Sequence, residues 1–208
     1  MPEGRGSTRA HGTPAPKAST FGPLEVLLHQ ASSCLPCTFP GPGAEADNPT
    51  MTTLTPCLWF DTEAQDAANF YLTVFPNSRI TDITYYGEAG PRPAEMVLTV
   101  EFELDGHPFT ALNGGPEFSF SEAVSFQIDC ADQAEVDRYW EALTADGGQE
   151  SMCGWLKDKY GLSWQMVPRR LVELLADPDP GRAQRVMAAM LSMRKLVIAD
   201  LEAAADRS

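Results

Sequence analysis

The chain has 208 residues, 43% of them hydrophobic, which is enough for a full core in one or two compact units. A formal net charge of −14 repels phosphate backbones and argues against a nucleic-acid binder. No apolar run reaches the roughly 20 residues that span a membrane, no secretory core interrupts the polar N-terminus, and five scattered cysteines fit a reduced, cytoplasmic protein.

Residues 1–50 differ in kind from the rest. They hold eight of the 17 prolines and six of the 16 glycines and show no hydrophobic period, so they are expected to be a disordered tail. Cys34 and Cys37 form a C-x-x-C within it. A redox motif needs a helix N-terminus beside the thiols, and a zinc site needs a second pair; neither is evident. From Met51 the pattern becomes regular, and residues 51–208 read as the folded domain.

"LTPCLWF" (54–60) is a β-type run, and Thr62 with Gln65 has the spacing of a capping box. A helix should follow to about Phe75, with Ala67, Phe70, Tyr71 and Val74 on one face. "RITDITYY", "AEMVLTVEFEL" and "HPFTALN" then read as three strands, the last two joined at Asp105-Gly106. The pattern repeats. "AVSFQID" (123–129) precedes a helix begun by Asp132 and Glu135, whose Tyr139 and Trp140 stand 69 positions after Phe70 and Tyr71. "SMCGWLKD" and "LSWQMV" form a hairpin in which Gly161 and Trp164 answer Gly106 and Phe109 at an offset of 55. The shorter offset means that the second copy has lost most of one strand. The fold class is therefore α+β: two paired βαβββ modules, about 54–115 and 120–168, the second shortened. Helical segments occupy 169–205, and from 181 a single amphipathic C-terminal helix is expected, carrying Val186, Met190, Met193, Val197 and Leu201.

These segments together resemble the vicinal oxygen chelate superfamily, which includes glyoxalase I, bleomycin-resistance proteins and extradiol dioxygenases. Within it they are most similar to the PhnB-like group, whose domain is labelled 3-demethylubiquinone-9 3-methyltransferase. The resemblance is carried by "LWFDTEAQDAANFYLTVFPNSRI", "FTALNGGPEFSFSEAVSFQI", "CGWLKDKYGLSWQMVP" and "AMLSMRKLVIADLEAA", and so spans 54 to about 204. It implies two modules whose sheets curl into an open cup holding a ligand or metal, and a homodimer.

The resemblance places metal-ligating positions near Pro56, Asn113, Ala123 and Gln165. Proline and alanine cannot ligate through their side chains, and two neutral amides bind a divalent cation weakly. His11 and His29 lie in the tail and His107 in a hairpin turn, so no metal and no cofactor are expected. "LNGGPEF" is the sole glycine-rich candidate for a methyl-donor loop, and its Gly114 and Gly115 read better as a turn. Cys153, Lys157 and Glu117 are weak catalytic candidates. Cys57 and Cys130 are expected to fill core. In the cup, Trp59, Phe118, Phe120, Trp155 and Trp164 would be aromatic walls, with Asn113, Ser125 and Gln165 as polar contacts. Whether those aromatics line a pocket or fill it stays open. The function expected is metal-independent binding of a small molecule, with a metal-independent enzyme on a small substrate as the alternative; neither nucleic acid nor membrane is a partner.

Overall fold

In a computed structural model of the protein, residues 54–207 are described. The first module runs β1 (Cys57–Phe60), α1 (Ala64–Val74), β2 (Arg79–Tyr85), β3 (Val97–Leu104) and β4 (His107–Asn113). The second runs β5 (Ser125–Cys130), α2 (Gln133–Thr144), β6 (Gln149–Glu150), β7 (Trp155–Lys157) and β8 (Ser163–Pro168). Their sheets have matching orders, β1-β4-β3-β2 and β5-β8-β7-β6, with the edge pairs β1–β4 and β5–β8 parallel. The strand missing from the second copy survives as the two-residue β6, against seven residues in β2. Residues 1–50, with the Cys34–Cys37 pair, lie outside the described residues.

Local chemistry accounts for most element ends. Asp105 and Gly106 both have positive φ, as a two-residue hairpin turn of this type requires. Asp132 accepts from the Glu135 amide at 3.0 Å and caps α2, while Glu135 reaches back to the Ala131 amide at 2.8 Å. The first helix is built differently from the Thr62–Gln65 expectation. It starts at Ala64 behind Glu63 without a side-chain cap from its own end, and the Ala64 amide donates instead to Asn113 Oδ1 of β4 at 2.8 Å.

The two modules share one core. Tyr71 of α1 stacks on Phe102 of β3 and also meets Trp164 of β8, so one side chain of α1 joins the packing of the two modules. Phe75 contacts both Tyr139 of α2 and Trp164, and Phe109 touches Phe126 across the module boundary. Because strand side chains alternate, the residues between these point to the other face of each sheet, away from the shared core.

After β8 come α3 (Arg169–Leu175), α4 (Pro180–Ser192) and α5 (Ile198–Asp206). The single helix expected from 181 to 205 is interrupted at Met193–Val197. The carbonyls of Met193 and Arg194 accept from the amides of Cys153 and Gly154 at 2.7 and 2.8 Å. Gln133 holds the break from α2, donating to Leu196 O and accepting from the Ile198 amide. Tertiary hydrogen bonds thus replace the helical ones that an unbroken helix would make. Leu171, Leu174, Val186, Met190, Leu196 and Leu201 are buried here.

Candidate functional site

The strand registers lay out the outward face of the second sheet as a small grid. Gln127, Gln165 and Trp155 form one row across β5, β8 and β7; Ser125, Ser163 and Lys157 form the next. Gln165 donates to Ser125 Oγ at 2.7 Å, and Gln127 lies within 3.4 Å of Gln165 Oε1. Gln165 is only 7% exposed and Ser163 fully buried. The Ser163 hydroxyl is, among the described residues, the buried side-chain polar atom without a hydrogen-bond partner. Lys157 pairs with Glu122 at 2.7 Å, just before β5.

One of these rows recurs in the first module. Cys57 opposite Thr110 stands where Gln127 stands opposite Gln165, and Trp59 opposite Leu112 answers Asp129 opposite Val167. Trp59 donates from its indole to Gly115 O at 2.8 Å, and Phe118, 67% exposed, packs edge-on against it. Cys57 is therefore exposed on a sheet face, not a core filler; Cys130 is buried, with its thiol pushed up to about 12, chiefly by burial and then by the carboxylates of Glu135 and Asp129.

Of the eight expected ligand contacts, Trp59, Ser125, Trp155 and Gln165 lie on these outward faces, and Phe118 flanks one of them. Three do not. Asn113 is turned to the helix side, where its Oδ1 caps α1 and its Nδ2 donates to Val97 O. Phe120 packs on Phe60 in the core. Trp164 is 3% exposed and donates to Asp158, a buried carboxylate that also accepts from the Tyr71 hydroxyl and from the amides of Tyr160 and Leu162. Burial pushes the Asp158 carboxyl upward against those bonds, and it pushes the Tyr71 phenol well up, with the Asp158 charge adding to the effect. Trp164 also borders a cleft of about 580 Å³ whose lining joins Phe75, Phe109, Phe126 and Tyr139 to the polar side chains of Gln127, Asp129 and Arg169. The aromatic walls pack ring against ring at 5.2 to 5.4 Å.

The catalytic candidates are engaged separately. Cys153 sits at positive φ in the turn before β7, its amide bound to Met193 O and its thiol pushed up by burial, the opposite of nucleophile activation. Lys157 is held by Glu122, and Glu117 is exposed beside Gly115. Gln127 and Ser163 escaped the sequence reading. Both share strand parity with residues it chose, so a period of two supplied the signal once β5 and β8 were in register.

Two groups implied by the resemblance can be tested against these residues. A divalent cation finds only amides and hydroxyls along the Gln127–Gln165–Ser125 chain, and no three His, Cys, Asp or Glu side chains converge among the described residues. The positions carried over at Pro56, Asn113 and Ala123 do not share that row. A methyl donor fits the glycine loop no better. The amides of Gly114 and Gly115 both donate to Phe60 O, and a Cβ at Gly114 would strike the Trp59 ring, which already fills the space.

Paired βαβββ modules with matching strand orders define the chain as a member of the vicinal oxygen chelate superfamily. It belongs to the family described as 3-demethylubiquinone-9 3-methyltransferase, whose model matches residues 52–167, more than half of the chain. The C-terminal helices lie beyond that match, which ends earlier than the resemblance to residue 204 suggested. No curated protein matches the chain. Among solved structures it is similar to a putative 3-demethylubiquinone-9 3-methyltransferase, PhnB protein, from Bacillus cereus, at 32% identity and TM-score 0.52, covering 56% of this chain and 99% of that one. A Pseudomonas aeruginosa protein matches at 18% identity and TM-score 0.47, covering 57% and 98%. A fosfomycin resistance protein from Listeria monocytogenes matches at 12% identity and TM-score 0.40, covering 57% and 93%.

Proposed function

We propose that this chain is a metal-independent small-molecule-binding protein whose ligand sits on the outward face of the second sheet. The observation that carries the reading is the Gln127–Gln165–Ser125 chain of hydrogen bonds beside Trp155. Amides and hydroxyls with an aromatic neighbour are the composition of a small-ligand site: few polar contacts fix orientation, and the ring supplies area.

One chain alone supplies only half an enclosure. The outward faces point away from the shared core on both sides, so a second copy is the natural partner to close each into a cup. We therefore read the working unit as a homodimer in which the Gln165 face of one copy meets the Trp59 face of the other. Light scattering coupled to size exclusion tests this, and a monomer at micromolar concentration would overturn it.

The ligand should emerge unchanged. A screen by tryptophan quenching, followed by Gln165→Ala, should show binding weakened about tenfold, as loss of a buried hydrogen bond to a polar ligand would give. Equal binding by wild type and variant would remove Gln165 from the site. Micromolar binding of S-adenosylmethionine by calorimetry, or stoichiometric metal in purified protein, would favour the enzyme reading instead.

A further inference from the structure

We propose that the Trp155–Lys157 edge of this face receives a small planar ligand carrying an oxyanion, with Lys157 as its counter-charge and Glu122 as the group it displaces. This rests on the placement of the site given above and names the class of its ligand.

Lys157 is the only cation among the strand positions of the grid, since Ser125, Gln127, Ser163, Gln165 and Trp155 are neutral. In a chain of net charge −14 an anion needs a dedicated partner, and the long-range field discourages it elsewhere. Lys157 is 30% exposed, while the carboxylate that pairs with it is 63% exposed. A solvent-exposed ion pair contributes little, so a ligand oxyanion held by further contacts can replace Glu122 at small cost.

The further contacts are in place. Trp155 and Lys157 stand two residues apart on the same side of β7, about 6.6 Å along the strand. That spacing suits a ring against the indole and an oxyanion at the ammonium. Opposite Lys157 lies Ser163, whose buried hydroxyl has no partner. An unpaired buried hydroxyl is unfavourable, and a donor left free at the position paired with Lys157 matches an arriving oxyanion. Gln165, opposite Trp155, adds an amide.

Calorimetry on the full chain with benzoate and its neutral counterpart benzamide tests this. Benzoate should bind about tenfold more tightly than benzamide, as one charge-assisted hydrogen bond would give. Lys157→Met should erase that preference. Glu122→Gln, at an exposed position outside the strands, should tighten benzoate several-fold by removing its competitor and leave benzamide unchanged. Ser163→Ala should weaken benzoate; a hydroxyl with no ligand role would leave affinity unchanged. Equal binding of the two probes, or a benzoate affinity indifferent to Glu122→Gln, overturns the proposal while leaving the site in place. Binding of neither probe, with wild type folded, counts against both readings.

Discussion

At the scale of single residues, several side chains that looked like site groups serve the fold. Asn113 has both ends of its amide used inside one module, at the α1 terminus and at Val97 O. Asn113→Ala should cost about 1 to 3 kcal/mol, the range for a buried cap whose partners are left unpaired. Asn113→Asp should recover part of this, because it keeps the acceptor for Ala64; chemical denaturation gives both numbers. Asp158 joins the modules through Tyr71 and Trp164. Its carboxyl titrates higher in the folded chain than in the unfolded one, so the native state holds that proton more tightly. The contribution to stability therefore falls as pH rises from about 4, the unfolded value, through the raised native value, and is flat above it. Asp158→Asn should remove this slope, visible as a wild-type-minus-variant difference that changes across mildly acid pH.

At the scale of elements, the turn 151–154 is the point where the C-terminal helices grip the second sheet. Cys153 adopts φ of 61°, a region that favours glycine. Cys153→Gly should leave stability equal or raise it by up to about 1 kcal/mol, and Cys153→Val should lower it, as thermal midpoints would report. Gly154 also has positive φ, and a Cβ there would sit 2.7 Å from Met166 O. Gly154→Ala should thus destabilise more than either change at Cys153. Strands, turns and α2 were legible in sequence because their signals are local: alternation, Asp-Gly, and the Asp132–Glu135 spacing. The α1 cap and the α4–α5 break were not, because Asn113 lies 49 positions from Ala64 and Met193 lies 40 from Cys153.

At the scale of the whole molecule, three C-terminal helices lie beyond the family match, and they hold the α4–α5 break against Gln133 and the Cys153–Gly154 amides. Removing residues 169–208 should lower the thermal midpoint and speed amide hydrogen exchange at Cys153 and Gly154, while β1–β4 keep their protection. No described helix is long and apolar enough to cross a membrane. The repeat and the family were written in the sequence, since each depends on residue types at short or constant spacings. Gln165 came from the resemblance, which places a metal-ligating position there. Which way each strand presents its faces was decided only by the tertiary structure. A single residue of register or a change of packing partner exchanges core face for outer face. That choice of face put Trp164 and Asn113 on the core side and Gln165, Ser163 and Lys157 together on the opposite face.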